Sequence, residues 1–149
     1  MEYKFRGLGL HSKKWIYGNL IHMEDADKDF KDVIIPIEDN CTYVDNDDGY
    51  GAENWHKVDS KTVSPSTGVK DINKKESYLG DILKEPNNKY DYGIIEKESE
   101  SNNMFITWWY PSNSECKLWN SMKLKLSYIK QFEIIGNIFE NEDMVKKEG

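Results

Sequence analysis

The chain has 149 residues, 38% of them apolar and 32% charged, with a net charge of −7 and a mean hydropathy of −0.80. That length fits one ordinary domain or two very small ones, because domains most often run to ~100–150 residues. Five Trp, nine Tyr and five Phe exclude a disordered chain, since disorder goes with few aromatics, and they can build a compact aromatic core.

Charge is spread unevenly along the chain. Residues 1–22 carry net +3, whereas residues 23–56 hold eleven acids against two lysines, net −9. General nucleic-acid binding needs a basic face to neutralise phosphates, so this balance disfavours it. It suits a basic protein partner or mimicry of a polyanion. No apolar run approaches the ~18–20 residues that span a bilayer. The stretch MEYKFRGLGLHSKKW lacks the apolar centre of a signal peptide, so no membrane partner and a cytoplasmic location are expected. Cys41 and Cys116 stand far apart and outside CxxC spacing, and in a reducing cytosol they are expected to be unpaired thiols.

In chain order, WIYGNLI at 15–21 is aromatic and β-branched and predicts a strand, with a bulge at Gly18. VIIPI at 33–37 predicts a short strand ended by Pro36. EDNCTYVDNDDGYGAEN at 38–54 predicts a mostly exposed loop. Residues 58–63 predict a short strand or a helical turn. Residues 67–83, TGVKDINKKESYLGDIL, are rich in turn chemistry. Gly68 suits positive φ, Asp71 and Asn73 suit an Asx turn, and Gly80-Asp81 suits a tight lead into a strand with the Asp81 carboxylate capping backbone N–H groups.

Residues 93–96 and 104–110 predict two strands around the charged loop KESESNN. MKLKLSY at 122–128 alternates apolar and polar and predicts a half-buried strand. Residues 132–139 predict another strand, kinked at Gly136-Asn137. The tail, residues 141–148, predicts a short helix capped by Asn141. So many short strands and so little helix predict a small barrel or two packed β subdomains, divided near 1–65 and 66–149.

The chemical motifs tested here fail. Asp45, Asp47 and Asp48 precede Gly49, yet neither possible register gives the alternating oxygen ligands of a calcium loop. His11, His22 and His56 show no zinc spacing. There is no GxSxG, and Cys116 lacks a local signature, so no catalytic residue, metal or cofactor is expected. Gly68 and Gly80 stand twelve apart before a strand, which excludes a phosphate loop. Trp108 and Trp109 should face opposite sides of one strand, one toward the core and one toward the surface. Asp45, Asp47, Asp48, Tyr50, Trp55, Trp108 and Trp109 are therefore the candidates for binding a partner. An alternative reading places Arg6, Lys13, Lys14 and Trp15 or Trp109 on nucleic acid, and another makes the chain a small-molecule or nucleotide binder or hydrolase.

Six blocks stand in order along the chain: Phe5-Arg6-Gly7; Trp15-Ile16-Tyr17-Gly18; Val58-Asp59 with Thr62-Val63; Thr67-Gly68-Val69-Lys70-Asp71; Gly80-Asp81-Ile82-Leu83; and EIIGNIFEN at 133–141. Together they resemble the YopX family of phage and prophage proteins, over about residues 3–145. The resemblance implies a mainly β fold, a small SH3-like β barrel with an additional β subdomain. It also implies a setting in mobile genetic elements, and it carries no catalytic residues over. It casts Arg6, Gly7, Trp15, Tyr17, Gly18, Thr67, Gly68, Asp71, Gly80, Asp81, Gly136 and Asn137 as structural. The expected partner is a host or phage protein rather than nucleic acid, and exposed edges that invite pairing make a homo-oligomer plausible. The expected role is that of a phage or prophage accessory protein acting by non-catalytic protein binding, antagonism of a host or defence protein being its specific version.

Overall fold

The computed structural model describes residues 4–27, 31–36, 43–46, 49–52, 55–112 and 118–145. Cys41, Cys116, Asp47 and Asp48 lie outside them. The chain divides into two compact units, Met1–Ser66 and Thr67–Gly149.

In the first unit, β1 (Phe5–Leu8), β2 (Trp15–His22), β3 (Asp32–Pro36) and β6 (His56–Lys57) pair antiparallel in the order β6-β3-β2-β1. The other edge of β1 takes Ser64 and Pro65, the first residues of β7 (Ser64–Lys70). Val33, Ile34 and Val58 are the buried aliphatics. Gly7 lies against them, where a Cβ would sit 2.9 Å from the Val58 Cβ. A 3-10 turn at Ser60–Thr62 is capped by the Asp59 carboxylate, and Thr62 accepts the Leu8 N–H at 2.8 Å. Two expectations change here. β2 runs through Gly18 in unbroken register with β1 and β3, so Gly18 is no bulge. A side chain there would collide with the Ile35 carbonyl of β3, and close backbone approach is the reason for glycine. Within the expected acidic loop, β4 (Tyr43–Asn46) and β5 (Gly49–Ala52) pair as an antiparallel hairpin.

In the second unit, the rest of β7 makes a hairpin with β8 (Glu76–Tyr78), and five further strands form an antiparallel sheet. These are β9 (Asp81–Lys84), β10 (Tyr92–Lys97), β11 (Met104–Pro111), β12 (Trp119–Leu124) and β13 (Glu133–Asn137), in the order β12-β11-β10-β9-β13. Side chains alternate across it. One face turns Leu83, Ile95, Ile106 and Trp108 into a core completed by Ile129 and Phe132. Trp108 stacks on Phe132 with ring centroids 4.4 Å apart, a pair worth ~0.5–1.5 kcal/mol beyond burial. Gly93 faces the same core because a Cβ would meet Trp108 at 2.6 Å.

Two buried carboxylates fix the turns of this unit. Asp71, 3% exposed, accepts the N–H groups of Asn73 and Lys75 through one oxygen and that of Ile134, in β13, through the other. Asp81, 1% exposed, accepts the Tyr78 N–H at 2.8 Å and so closes the turn through Gly80, whose φ is +91°. Gly80 then donates to the Ile95 carbonyl and accepts from Ile138, which locks the turn between β10 and the end of β13. The Asx turn and the capping aspartate expected from the sequence are both present. Asn137 does the same after β13, accepting the N–H groups of Phe139 and Glu140 at 3.0 Å.

Three further expectations are corrected. The strand expected at 122–128 ends at Leu124, and Leu126–Gln131 is a 3-10 turn. The turn drops Ile129 into the core ahead of Phe132, a burial that outweighs the period-two pattern. That turn lies in the connection between β12 and β13, which are the two edge strands of the sheet. No closed barrel is found among the described residues, and the expected barrel gives way to open antiparallel sheets. At the C-terminal end, in place of the expected helix, the described residues form a single 3-10 turn, Glu142–Met144, with no side-chain cap from Asn141. The Asn141 carboxamide accepts the Asn137 N–H instead.

Alanine at Gly18 is expected to destabilise the protein by ~3 kcal/mol through overpacking against backbone. Alanine at Gly68, where φ is +79° but no atom lies within 4 Å, should cost only ~1 kcal/mol of backbone strain. Urea unfolding of the two variants checks the ranking. Asp71→Ala orphans three N–H groups and should cost ~3 kcal/mol, against under ~0.5 kcal/mol for the exposed Asn73→Ala.

Candidate functional site

The acidic stretch begins where β2 ends, at His22, and takes in the start of β3, at Asp32. His22 lies opposite Asp32 in the register, and its two ring nitrogens each meet a carboxylate: Nδ1 to Asp32 at 2.6 Å and Nε2 to Glu24 at 2.6 Å. Both nitrogens can donate only when the ring is a cation. The Asp32 hydrogen bond, and then that from Glu24, hold the His22 pKa above its ordinary value of 6.5. In turn the His22 hydrogen bond, helped by the charges of His22 and Lys31, holds Glu24 below its ordinary 4.5. With both nitrogens engaged by carboxylates, the imidazolium is placed to pin two acids of the stretch, and no nucleophile shares it. Among the described residues no cluster of three or more His, Cys, Asp or Glu side chains is arranged to hold a metal ion.

Further along, the hairpin places Asp45 of β4 opposite Tyr50 of β5. Asp47 and Asp48 fall between those strands in sequence. Trp55, just past the hairpin, is 52% exposed, the most exposed of the tryptophans whose burial is described. The structure therefore gathers Asp45 and Tyr50 on one hairpin with Trp55 three residues beyond it.

The other aromatic candidates divide. Trp108 is buried beneath Phe132 and is removed from the partner-binding set. Trp109 faces the opposite side of β11 and is half-buried, as the alternation of a strand requires. Arg6 is only 5% exposed, with its guanidinium 4.6 Å from the Trp15 ring. A cation enclosed under an indole serves packing, so Arg6 does not supply the phosphate contact that the nucleic-acid reading gave it. Lys13 and Lys14 remain exposed on the turn between β1 and β2.

The sequence reading missed a groove on the second face of the five-stranded sheet. Ile82 of β9 and Ile135 of β13 form its floor, and Tyr92 of β10 and Trp119 of β12 are among its walls, their rings 5.6 Å apart and tilted by 56°. Tyr90 and Met144 stand at the rim, both exposed. Lys84, Lys89 and Asp143 are its charged residues among those described. Burial raises the Tyr92 phenol above its ordinary pKa of 10.0, which keeps its hydroxyl neutral at physiological pH. The one local signal in the sequence is EPNNKYDYG, a turn that ends in a lysine and two tyrosines.

The family model for the YopX protein matches residues 4–146. The chain belongs to the YopX family. Membership sets it among phage- and prophage-type proteins. The blocks around Gly68, Asp71, Gly80 and Asp81 serve turns and strand ends in the structure. A comparison with curated proteins gives no match.

The His22 clip yields a pH prediction with a definite sign. Because the folded pKa is raised, its contribution is complete below about 6.5 and is lost as pH rises through the folded value. An NMR titration should place the His22 midpoint above 6.5. Asp32→Asn should return it toward 6.5 by more than Glu24→Gln does, since Asp32 is the larger cause.

Proposed function

We propose that this YopX-family protein is a phage or prophage accessory protein that works by binding another protein, with no chemistry of its own. The observation that carries this reading is the charge of residues 23–56, eleven acids and two lysines in a chain of net −7. A surface of one sign steers a partner of the opposite sign and raises its association rate. The partner is accordingly a protein with a basic face, and in the sharper form of the proposal it is a host defence protein that handles nucleic acid. The acidic stretch would then occupy the site of a polyanion. The hairpin carrying Asp45 and Tyr50, with exposed Trp55 beyond it, supplies both charge and an aromatic anchor. The enclosure of Arg6 weighs against the alternative of direct nucleic-acid binding.

The test uses the tagged full chain to capture its partner from phage-infected cells, followed by affinity measurements on the purified pair. Raising salt from 50 to 300 mM should weaken binding by ~tenfold or more. The triple change Asp45→Asn, Asp47→Asn, Asp48→Asn should weaken it at low salt, and duplex DNA should compete. An affinity indifferent to salt, to the triple change and to DNA overturns the reading.

A further inference from the structure

The geometry points to a second binding site, for a small aromatic anion of mononucleotide size, in the groove formed by Tyr90, Tyr92, Trp119, Lys84 and Lys89. It is built wholly from residues 82–144, and the acidic stretch takes no part in it.

Its size fits a small molecule. The groove measures about 430 Å³, inside the ~300–1,000 Å³ range of ligand pockets. Its chemistry also follows that pattern, a mostly apolar lining with a few polar groups. The isoleucine floor and the Tyr92–Trp119 pair exclude water, while Tyr90 offers a ring that is 52% exposed. That exposure is held in place by the turn. The Asn88 side chain accepts the N–H groups of both Tyr90 and Asp91 at 3.0 Å, and Asn87 takes a positive φ of 75° to form it. An exposed ring on a hydrogen-bonded turn, beside an apolar floor, is a stacking platform, and any planar base can use it.

Charge selects an anion. Among the described residues Lys84 and Lys89 outnumber Asp143, so this lining is net positive in a chain that is strongly negative. Lys84 is tethered, with its Nζ donating to the Lys89 carbonyl at 2.8 Å, and an ammonium has two further donors to offer a phosphate oxygen. Lys89 reaches over the Tyr90 ring at 5.8 Å, so the charge and the platform lie together. The neutral Tyr92 hydroxyl adds no repulsion toward an anion. Asp143 fits this assignment by leaving room for one anionic group rather than a polyanionic strand, which would meet it and the chain's overall charge. A single ring with one phosphate engages the Tyr90 ring and the two ammonium groups.

The experiment is an NMR chemical-shift titration of the full chain with adenosine 5′-monophosphate, adenosine and inorganic phosphate in parallel. The monophosphate should give saturable shifts confined to Lys84, Tyr90, Tyr92, Trp119 and their neighbours. Adenosine and phosphate alone should bind at least tenfold more weakly. Tyr90→Ala and Lys89→Gln, both at exposed positions, should each reduce affinity ~tenfold while leaving the rest of the spectrum unchanged. Lys130→Gln, an exposed lysine on the 3-10 turn outside the groove, should leave the affinity as it was. The proposal is overturned by an absence of saturable shifts at millimolar monophosphate, by phosphate alone binding equally well, or by equal losses in Lys130→Gln.

Discussion

The second unit depends on two aspartates that have been taken out of water. A buried carboxylate is expensive unless donors meet it; here three backbone N–H groups meet the two oxygens of Asp71, and the Tyr78 N–H meets one oxygen of Asp81. The exchange is reciprocal, since the turns satisfy the acids and the acids fix the turns. Asp71 joins the β7–β8 hairpin to β13 across 63 residues of chain, and Asp81 turns β8 into β9. Strands β9 and β13 are neighbours, so both carboxylates brace the same edge of the five-stranded sheet. The stretch TGVKDINKKESYLGDIL is in this sense a clamp. Its distinctive residues serve turns and strand ends.

With that edge braced, the sheet can be used on both sides. One face is closed by Trp108, Ile129 and Phe132. The other keeps tyrosines, a tryptophan and two lysines around an open groove, bordered by the 3-10 turn at Glu142–Met144. The first unit divides its labour along the chain. Its aliphatics and the enclosed Arg6 hold β1, β2 and β3, and the long connections after β2 and β3 carry the acids. The candidate residues in both units thus sit on turns and faces that a sheet positions, as is general for functional loops.

Much of this architecture was legible because it is local. The positive φ at Gly68, the Asx turn at Asp71, the cap at Asp81 and the opposed faces of Trp108 and Trp109 all follow from a few adjacent residues. What escaped is set by distant neighbours. Nothing near Gly18 announces that the Ile35 carbonyl lies against it. The alternation of MKLKLSY continues past Leu124, but Ile129 and Phe132 are drawn into a core whose other members come from β9, β10 and β11. Arg6 reads as an accessible cation until Trp15 covers it. At the tail, the Asn141 side chain is taken by the Asn137 N–H and is not left to cap a helix. Of the binding candidates, the acidic stretch was visible as composition alone. The groove was invisible because β9, β10, β12, β13 and the C-terminal turn each contribute only one or two side chains to it.

The central claim is that buried aspartates hold the second unit together, and native-state hydrogen exchange of single amides tests it most directly. The amide of Ile134, bonded to the Asp71 carboxylate, and that of Tyr78, bonded to Asp81, should exchange only through global opening. Their protection should match that of Ile106, fully buried in the interior strand β11. Rapid local exchange at Ile134 and Tyr78, with Ile106 still protected, would contradict the account.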